Sequence, residues 1–376
     1  MDFSFTEEQT LLRNSVSKYL ADTYKFEQWR KFTRSDAGRD PNHWKQFAEL
    51  GLFAAALPEE YGGLGGGPVD SLVIMEEFGK ALVIEPYVPT VVIGGGVLKH
   101  GGDAAQKSEW LPRIAAGETM MAFAFAEPKG RYNLADLATT AKKQGAGYVL
   151  NGQKAVVLGA PWADMLIVTA RTSGGPREKS GVSVFLVDKK AKGVAVRDYP
   201  TVDSLRASEV TFENVELPAA SLIGPPDHGL PLIERVVDEA IAAICAEATG
   251  CMKVLVDTTV EYSKTRKQFG VPIGKFQALQ HRMVDMFVQY EQSVSIALMV
   301  TLKLGESDAE RARAASAAKV TIGKAGRFVG QQAVQIHGGI GMTDELNVGH
   351  YFKRLTLIDT LFGNTDHHLK RYAALG

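Results

Sequence analysis

Apolar residues in the first third of the chain recur at helical spacing. Leu11, Leu12, Val16 and Leu20 form one stripe behind Thr6, Glu7 and Glu8, where a capping hydroxyl and early acids favour a helix start. A second helix is expected from Pro41, with Trp44, Phe47 and Leu50 on one face, and a further one carries Leu72, Met75, Phe78 and Leu82. Between them, PEEYGGLGGGP (58–68) reads by composition as a flexible connection. From about residue 119 the period changes to two. GYVLNGQKAVVLG (147–159) carries Asn151-Gly152, a pair that suits a tight type I′ hairpin turn. MLIVTAR (165–171), GVSVFLVD (181–188), GVAVRDY (193–199) and SEVTFENVEL (208–217) read as further strands. Short strands joined by turns imply an antiparallel sheet or small barrel. Helical spacing returns at about 228, predicting helices over 230–265, 276–305, 307–336 (from the cap-like Ser307) and 344–373. The pattern defines an α+β chain of three segments: an N-terminal helical domain (1–118), a middle antiparallel β-barrel domain (119–227) and a C-terminal helical bundle (228–376).

Composition narrows what such a chain does. The 376 residues are 45% apolar and 23% charged, enough to bury a sizeable core. Lys plus Arg is 42 and Asp plus Glu 43, a balance that excludes the positive excess of a nucleic-acid binder. The apolar helix around Val236–Val256 is interrupted by Asp238, Glu239, Glu247 and Lys253, so it is a core helix rather than a membrane span. MDFSFTEEQTLLRNSV has acids where a signal peptide needs bases. Cys245 and Cys251 lie about 9 Å apart along one expected helix, too far for a disulfide. Two reduced thiols and no targeting segment point to the cytoplasm. GGLGGG lacks the spacing of a dinucleotide loop, since Pro68 stands where the last glycine belongs and a turn precedes it. Histidines show no metal-ligand spacing, and the His367-His368 pair is expected at the surface. No G-x-S-x-G nucleophile motif occurs.

Longer motifs are more informative. YSKTRKQFGVPIGKFQALQHRMVDM (262–286) has an Arg, then Phe-Gly three residues on, then a downstream Gln. QIHGGIGMTDELNVGHYFKR (335–354) has a Gln, paired glycines and an aromatic-Arg element. With PEEYGGLG and the AEP of 126–128, these resemble the ordered motifs of the acyl-CoA dehydrogenase family over the whole chain. The helical, β, helical order agrees with that fold. Within the family the chain most resembles the small subunits of bacterial pimeloyl-CoA dehydrogenases.

The resemblance implies α,β-desaturation of an acyl-CoA thioester. A carboxylate base takes the α-proton while FAD accepts the β-hydrogen as hydride, and electrons pass on to an electron-transfer flavoprotein. It also implies an FAD shared across a subunit interface. Arg266 would pair with the pyrophosphate, Gln268, Phe269 and Gln277 would surround it, and Gln335 with Gly338 and Gly339 would let backbone approach the phosphates.

Other positions depart from the family pattern. Its Thr-Glu-Pro and Gly-Ser-Asp turn is here Ala126-Glu127-Pro128-Lys129-Gly130-Arg131-Tyr132-Asn133, and its Trp-Ile-Thr is Val156-Val157-Leu158. The usual base, a Glu in a turn near the C-terminus, is replaced by Gly363 in Phe362-Gly363-Asn364-Thr365. The alternative base position, on the long helix before RKQFG, is Ala240; Glu239 is a candidate one residue and about 100° away. An intact adenine-side motif beside an eroded catalytic half implies a small, base-lacking subunit that completes the FAD site of a catalytic sister chain in an α2β2 heterotetramer. A self-associating homomeric flavoenzyme with an unusual base, and a structural partner that binds no FAD, are the alternatives. The resemblance to pimeloyl-CoA dehydrogenases suggests a dicarboxylic acyl-CoA substrate.

Overall fold

The computed structural model describes residues 4–376, so the first three residues of the expected N-terminal domain lie outside the described residues. The chain folds into α1 (Glu7–Thr23), α2 (Phe26–Thr33), α3 (Pro41–Glu49), α4 (Pro68–Ala81), α5 (Gly95–Gly101) and α6 (Ala104–Ala115). Strands β1 (Met121–Ala124), β2 (Thr140–Gln144), β3 (Gly147–Leu158), β4 (Met165–Arg171), β5 (Val182–Asp188), β6 (Val194–Pro200), β7 (Arg206–Leu217) and β8 (Leu222–Ile223) follow. The last part comprises α7 (Gly229–Thr265), the short strands β9 (Lys267–Gln268) and β10 (Val271–Pro272), α8 (Gln277–Leu302), α9 (Asp308–His337), α10 (Val348–Thr360) and α11 (Thr365–Ala374). No helix among the described residues is long and apolar enough to cross a membrane.

By compactness the chain forms two units, each assembled from separate stretches. One takes the N-terminal stretch to Lys31, Pro68–Val83 and Ile241–Gly376; the other takes Phe32–Gly67 and Ile84–Ala240. In the first unit α4 and α7 lie almost backbone to backbone. A Cβ on Gly79 would stand 2.0 Å from the Glu247 carbonyl oxygen, and one on Gly250 2.0 Å from that of Glu76, so both positions exclude any side chain. Glu247, buried at this crossing, accepts both arms of the Arg354 guanidinium from α10, at 2.5 and 2.7 Å. The aromatic-Arg element HYFKR thus pins α10 to α7, and Tyr351 adds a hydroxyl bond to the Lys80 carbonyl at the end of α4.

The second unit is built on one sheet of order β6-β7-β3-β2-β4-β5-β8, with β1 beside β4. The expectation of a purely antiparallel sheet is corrected: β1 and β2 both run parallel to β4. They can do so because residues 125–139 make a long excursion between β1 and β2. Nor does the strand path close on itself, since it ends at β6 and β8. Its core is packed from Leu150, Leu166, Val168, Phe185, Val210 and Phe212.

Four local expectations change. Asn151-Gly152 makes no turn: the reversal falls at Gly145-Ala146, between paired Gln144 and Gly147. Asn151-Gly152 is instead a bulge inside β3, where Asn151 Oδ1 accepts the Asn214 amide at 2.8 Å. The Gly-rich 58–68 loop is tied down by its own backbone, with the amides of Leu64, Gly65 and Gly66 donating to the carbonyls of Ala54, Leu57 and Ala55. The single helix expected over 344–373 breaks into α10 and α11 at Leu361–Asn364, where Phe362 and Gly363 both have positive φ. His368 is not at the surface but in the core, 1% exposed.

Candidate functional site

One group of expected site residues gathers where α7, α8 and α9 end or begin. α7 stops at Thr265, and Arg266 follows, its amide donating to the Tyr262 carbonyl. The chain then reverses through the β9–β10 hairpin. Its two-residue turn has Phe269 at φ +53° and Gly270 at φ +82°, the mirror-image geometry that matches strand twist. A bulky residue in this conformation is costly, and Phe269 is also 92% exposed. Among the described residues its ring meets another only in an edge-on approach to Phe276 at 6.1 Å. The Ile273 amide donates to the Arg266 carbonyl, which returns the chain to Gln277, the first residue of α8.

Gln335 lies exposed on the last turn of α9, and Gly338 and Gly339 follow the helix end. Gly338, at φ 67° and ψ −149°, holds a conformation that only glycine adopts readily. A Cβ on either glycine would meet nothing within 4 Å, so the backbone here faces open space. The two segments are joined by Tyr262 and His337, whose rings stack at 4.3 Å; the Tyr262 hydroxyl also reaches the His337 carbonyl at 3.5 Å. Arg282 of α8 donates to Gln332 of α9 at 2.7 Å, closing the third side. Arg266 itself is exposed and makes no ion pair among the described residues. An unpaired guanidinium, amide side chains, bare glycine backbone and an unsupported aromatic ring suit a diphosphate-linked dinucleotide.

A second group, at the substituted positions 126–133 and 156–158, sits within the sheet unit. The two stretches lie side by side: the Ala155 amide donates to the Ala126 carbonyl at 2.8 Å. Glu127 is fully engaged in structure. Its carboxylate accepts the amides of Ala138 (2.7 Å) and Thr139 (3.1 Å) and the ammonium of Lys154 (2.8 Å). Burial pushes the Glu127 carboxyl up, but Lys154 and the amides outweigh it and hold the group below its usual range. Lys154 is fully buried and brought down to about 8 by that burial. Val156, half exposed, has φ +52°, an uncommon conformation for a β-branched residue. It sits where the β3–β7 register shifts.

At the expected base position the chain is closed. Gly363 has φ +116°, and a Cβ there would fall 2.5 Å from His367 Cδ2 and 2.7 Å from His368 Nε2. His368 donates through Nε2 to the Phe362 carbonyl (3.1 Å), and its Nδ1 accepts from Ser316 Oγ (3.3 Å). Burial, with Lys319 nearby, takes this imidazole down to about 3. Lys319 is buried too, donates to the carbonyls of Ile358 and Asp359, and is brought to about 8 by burial. Asp359 braces the turn from the other side, accepting the Thr365 amide and hydroxyl at 3.2 and 2.9 Å and Arg327 at 3.1 Å.

The alternative base position is equally quiet. Ala240 is fully buried in α7. Its neighbour Glu239 accepts His100 Nε2 at 2.8 Å and lies 3.5 Å from Arg235 Nε. Burial pushes that carboxyl up, but His100 and the surrounding cations hold it below its usual range, which suits an ion pair and not a base.

Sequence reasoning missed Tyr262, His337, Lys319 and Lys154. Tyr262 stands one helical turn before Arg266, and His337 directly before Gly338, so both were adjacent to recognised motif positions. Lys319 and Lys154 carried no sequence signal for burial, because lysines are ordinarily exposed.

Comparison with known proteins identifies the family. The models for the N-terminal, middle and C-terminal domains of acyl-CoA dehydrogenase match residues 6–118, 122–215 and 227–374. The probable acyl-CoA dehydrogenase YngJ of Bacillus subtilis is 31% identical over 97% of both chains. The chain therefore belongs to the acyl-CoA dehydrogenase family, oxidoreductases that act on CH–CH bonds. Among solved structures, a chain of the ChsE4-ChsE5 complex from Mycobacterium tuberculosis superposes with a TM-score of 0.90 at 25% identity, covering 100% of this chain and 98% of that one. PigA, solved with FAD and proline, gives 0.91 at 25% identity, covering 100% and 98%.

Proposed function

We propose that this chain is the small, base-lacking subunit of a heteromeric FAD-dependent acyl-CoA dehydrogenase, holding the diphosphate end of an FAD whose catalytic partner is a sister chain. The observation that carries the reading is a contrast within one unit: the cradle of Arg266, Gly338 and Gly339 is open and lacks an internal partner, whereas the Gly363 turn is filled by His367 and His368. In the other unit, Glu127 is paired with Lys154 and Glu239 with Arg235, with His100 hydrogen-bonded to Glu239. The ChsE4-ChsE5 complex offers a precedent for two differently named chains assembled together.

When bound, FAD supplies the acceptor for the β-hydrogen of an acyl-CoA thioester. This chain contributes binding and order. Arg266 offers a planar fork to the diphosphate oxygens, and Gln268, Gln277 and Gln335 present amide donors around it. Gly338 and Gly339 admit backbone amides close to the phosphates, where any side chain would intrude. Phe269 gives an apolar face that a partner or the cofactor covers. Proton abstraction falls to the sister subunit. The resemblance to pimeloyl-CoA dehydrogenases extends the proposal to a dicarboxylic acyl-CoA, with an electron-transfer flavoprotein as acceptor. The buried thiols Cys245 and Cys251, neither in a disulfide, fit a cytoplasmic setting. The three segments 1–118, 119–227 and 228–376 are proposed as its domains.

The test is purification of the chain alone and after co-expression with its sister subunit. The chain alone is expected to lack stoichiometric flavin and to show no acyl-CoA turnover; the complex is expected to carry both. Stoichiometric FAD and turnover in the lone chain would replace this reading with the homomeric enzyme. A complex whose flavin content is independent of this chain would replace it with the structural partner.

A further inference from the structure

The cradle is built from two segments distant in sequence, and affinity for a rigid diphosphate depends on their spacing. Arg266 hangs from the last turn of α7, and Gly338 from the last turn of α9. Within that junction one pair of rings bridges the two helices. Tyr262 lies one turn before Arg266, with its carbonyl accepting the Arg266 amide at 2.9 Å. His337 is the last residue of α9. The rings lie 4.3 Å apart at an interplanar angle of 28°.

His337 is itself locked. Its Nδ1–H donates to the Ala333 carbonyl at 2.8 Å, which fixes the ring and its tautomer on the final turn of the helix. Nε2 is buried with no hydrogen-bond partner among the described residues, and the residue is 4% exposed. Burial keeps the imidazole below its ordinary range, so it stacks as a neutral ring. A fixed ring at the end of α9 and a ring one turn from Arg266 leave little freedom between the guanidinium and the two glycines.

We propose that the Tyr262–His337 stack is the positioning element of the FAD diphosphate cradle, setting the distance between Arg266 and the Gly338-Gly339 backbone. Tyr262 and His337 act through the residues beside them and need not touch the cofactor. The inference rests on the FAD-holding role proposed above.

The experiment measures FAD affinity of the assembled complex by flavin fluorescence, for Tyr262→Leu, Arg266→Ala and the double variant. Tyr262→Leu is expected to weaken FAD binding about tenfold, and less than about threefold once Arg266 is already alanine, because positioning a residue that is gone has little value. Tyr262→Phe, which keeps the stacked ring, is expected to stay within about threefold of wild type. Should Tyr262→Leu fail to assemble, His337→Phe against His337→Leu decides the matter: the aromatic variant retains affinity and the aliphatic one loses it. Equal losses for Tyr262→Leu in both backgrounds, or equal behaviour of His337→Phe and His337→Leu, would overturn the assignment. If Arg266→Ala weakens FAD binding but Tyr262→Leu does not, only the stack loses its role. If Arg266→Ala changes nothing, the FAD-holding role itself is wrong.

Discussion

The cradle at the ends of α7 and α9 and the turn between α10 and α11 belong to the same unit, yet they treat polar groups in opposite ways. At the cradle, the Arg266 guanidinium has no ion pair among the described residues, Gln277 and Gln335 lie exposed, Gln268 bonds only to the neighbouring Lys267 carbonyl, and Phe269 is 92% exposed. At the Gly363 turn, polar groups find partners within the chain: Asp359 with Lys319 and Thr365, and His368 with Ser316. Holding Phe269 at positive φ in water is costly, which is what the proposed cofactor-holding role would account for. The Gly363 turn shows the reverse: at the position where the resemblance implies a base, polar groups satisfy one another. On the proposed reading, the first site awaits a partner and the second is satisfied within the chain.

That contrast can be broken most directly with acid. An unfolded His368 takes up a proton near its usual 6.5, whereas the folded one does so only at about 3. Between these values the unfolded state binds more protons, so stability is intact above about pH 6.5 and falls as the pH drops toward 3. The slope from this group approaches about 1.4 kcal/mol per pH unit, or roughly 4–5 kcal/mol over the window. Urea denaturation at pH 7, 5.5 and 4.5 is expected to show this slope in wild type and lose it in His368→Gln. An unchanged slope would mean that the turn is not sealed.

Restoring the family's base is expected to damage rather than revive the chain. Gly363→Glu forces a side chain into φ +116° and against two imidazoles, at a cost of roughly 2–4 kcal/mol. Thermal melting checks the loss. A Gly363→Glu chain of normal stability that turns over acyl-CoA would show that the turn remains a catalytic site. At the cradle, Arg266→Ala removes an exposed group and should leave the melting temperature of the flavin-free chain within about a degree. FAD affinity of the complex should nevertheless fall roughly ten- to a hundredfold, the loss of about 1.5–3 kcal/mol for a charge-assisted pair. Arg266→Lys should recover only part of this, since an ammonium lacks the fork.

The smallest effect sharpens the comparison with the sheet unit. Val156 has positive φ in a bulge and half-exposed side chain, so Val156→Gly should relieve strain and stabilise by about 1 kcal/mol. Denaturant midpoints at constant m-value measure it. A destabilised variant would mean that Val156 packs against something that offsets its backbone conformation.

Much of this protein was legible along the chain. Helix starts at Thr6, Pro41 and Ser307 fell where capping chemistry put them, because a cap is decided by residues within one turn. The long helix 230–265 and the strand at 165–171 followed from period alone. The segments around Arg266 and the glycines at 338 and 339 stood out through their resemblance to the ordered motifs of the family. Asn151-Gly152 misled, since the pair suits a tight turn and a bulge equally well, and only pairing with β7 selected the bulge.

What the sequence by itself determined was the set of local conformations and the chemical character of each motif. The tertiary structure alone decided which polar groups found partners. Glu239 became hydrogen-bonded because α5 brings His100 to it, Glu127 became a brace because β3 brings Lys154, and His368 left the surface because the break at Phe362-Gly363 turns α11 onto α9. These partners lie 27 to 139 positions apart along the chain. The balance between desolvation and pairing is set by distance in space, which no period or spacing along the chain encodes.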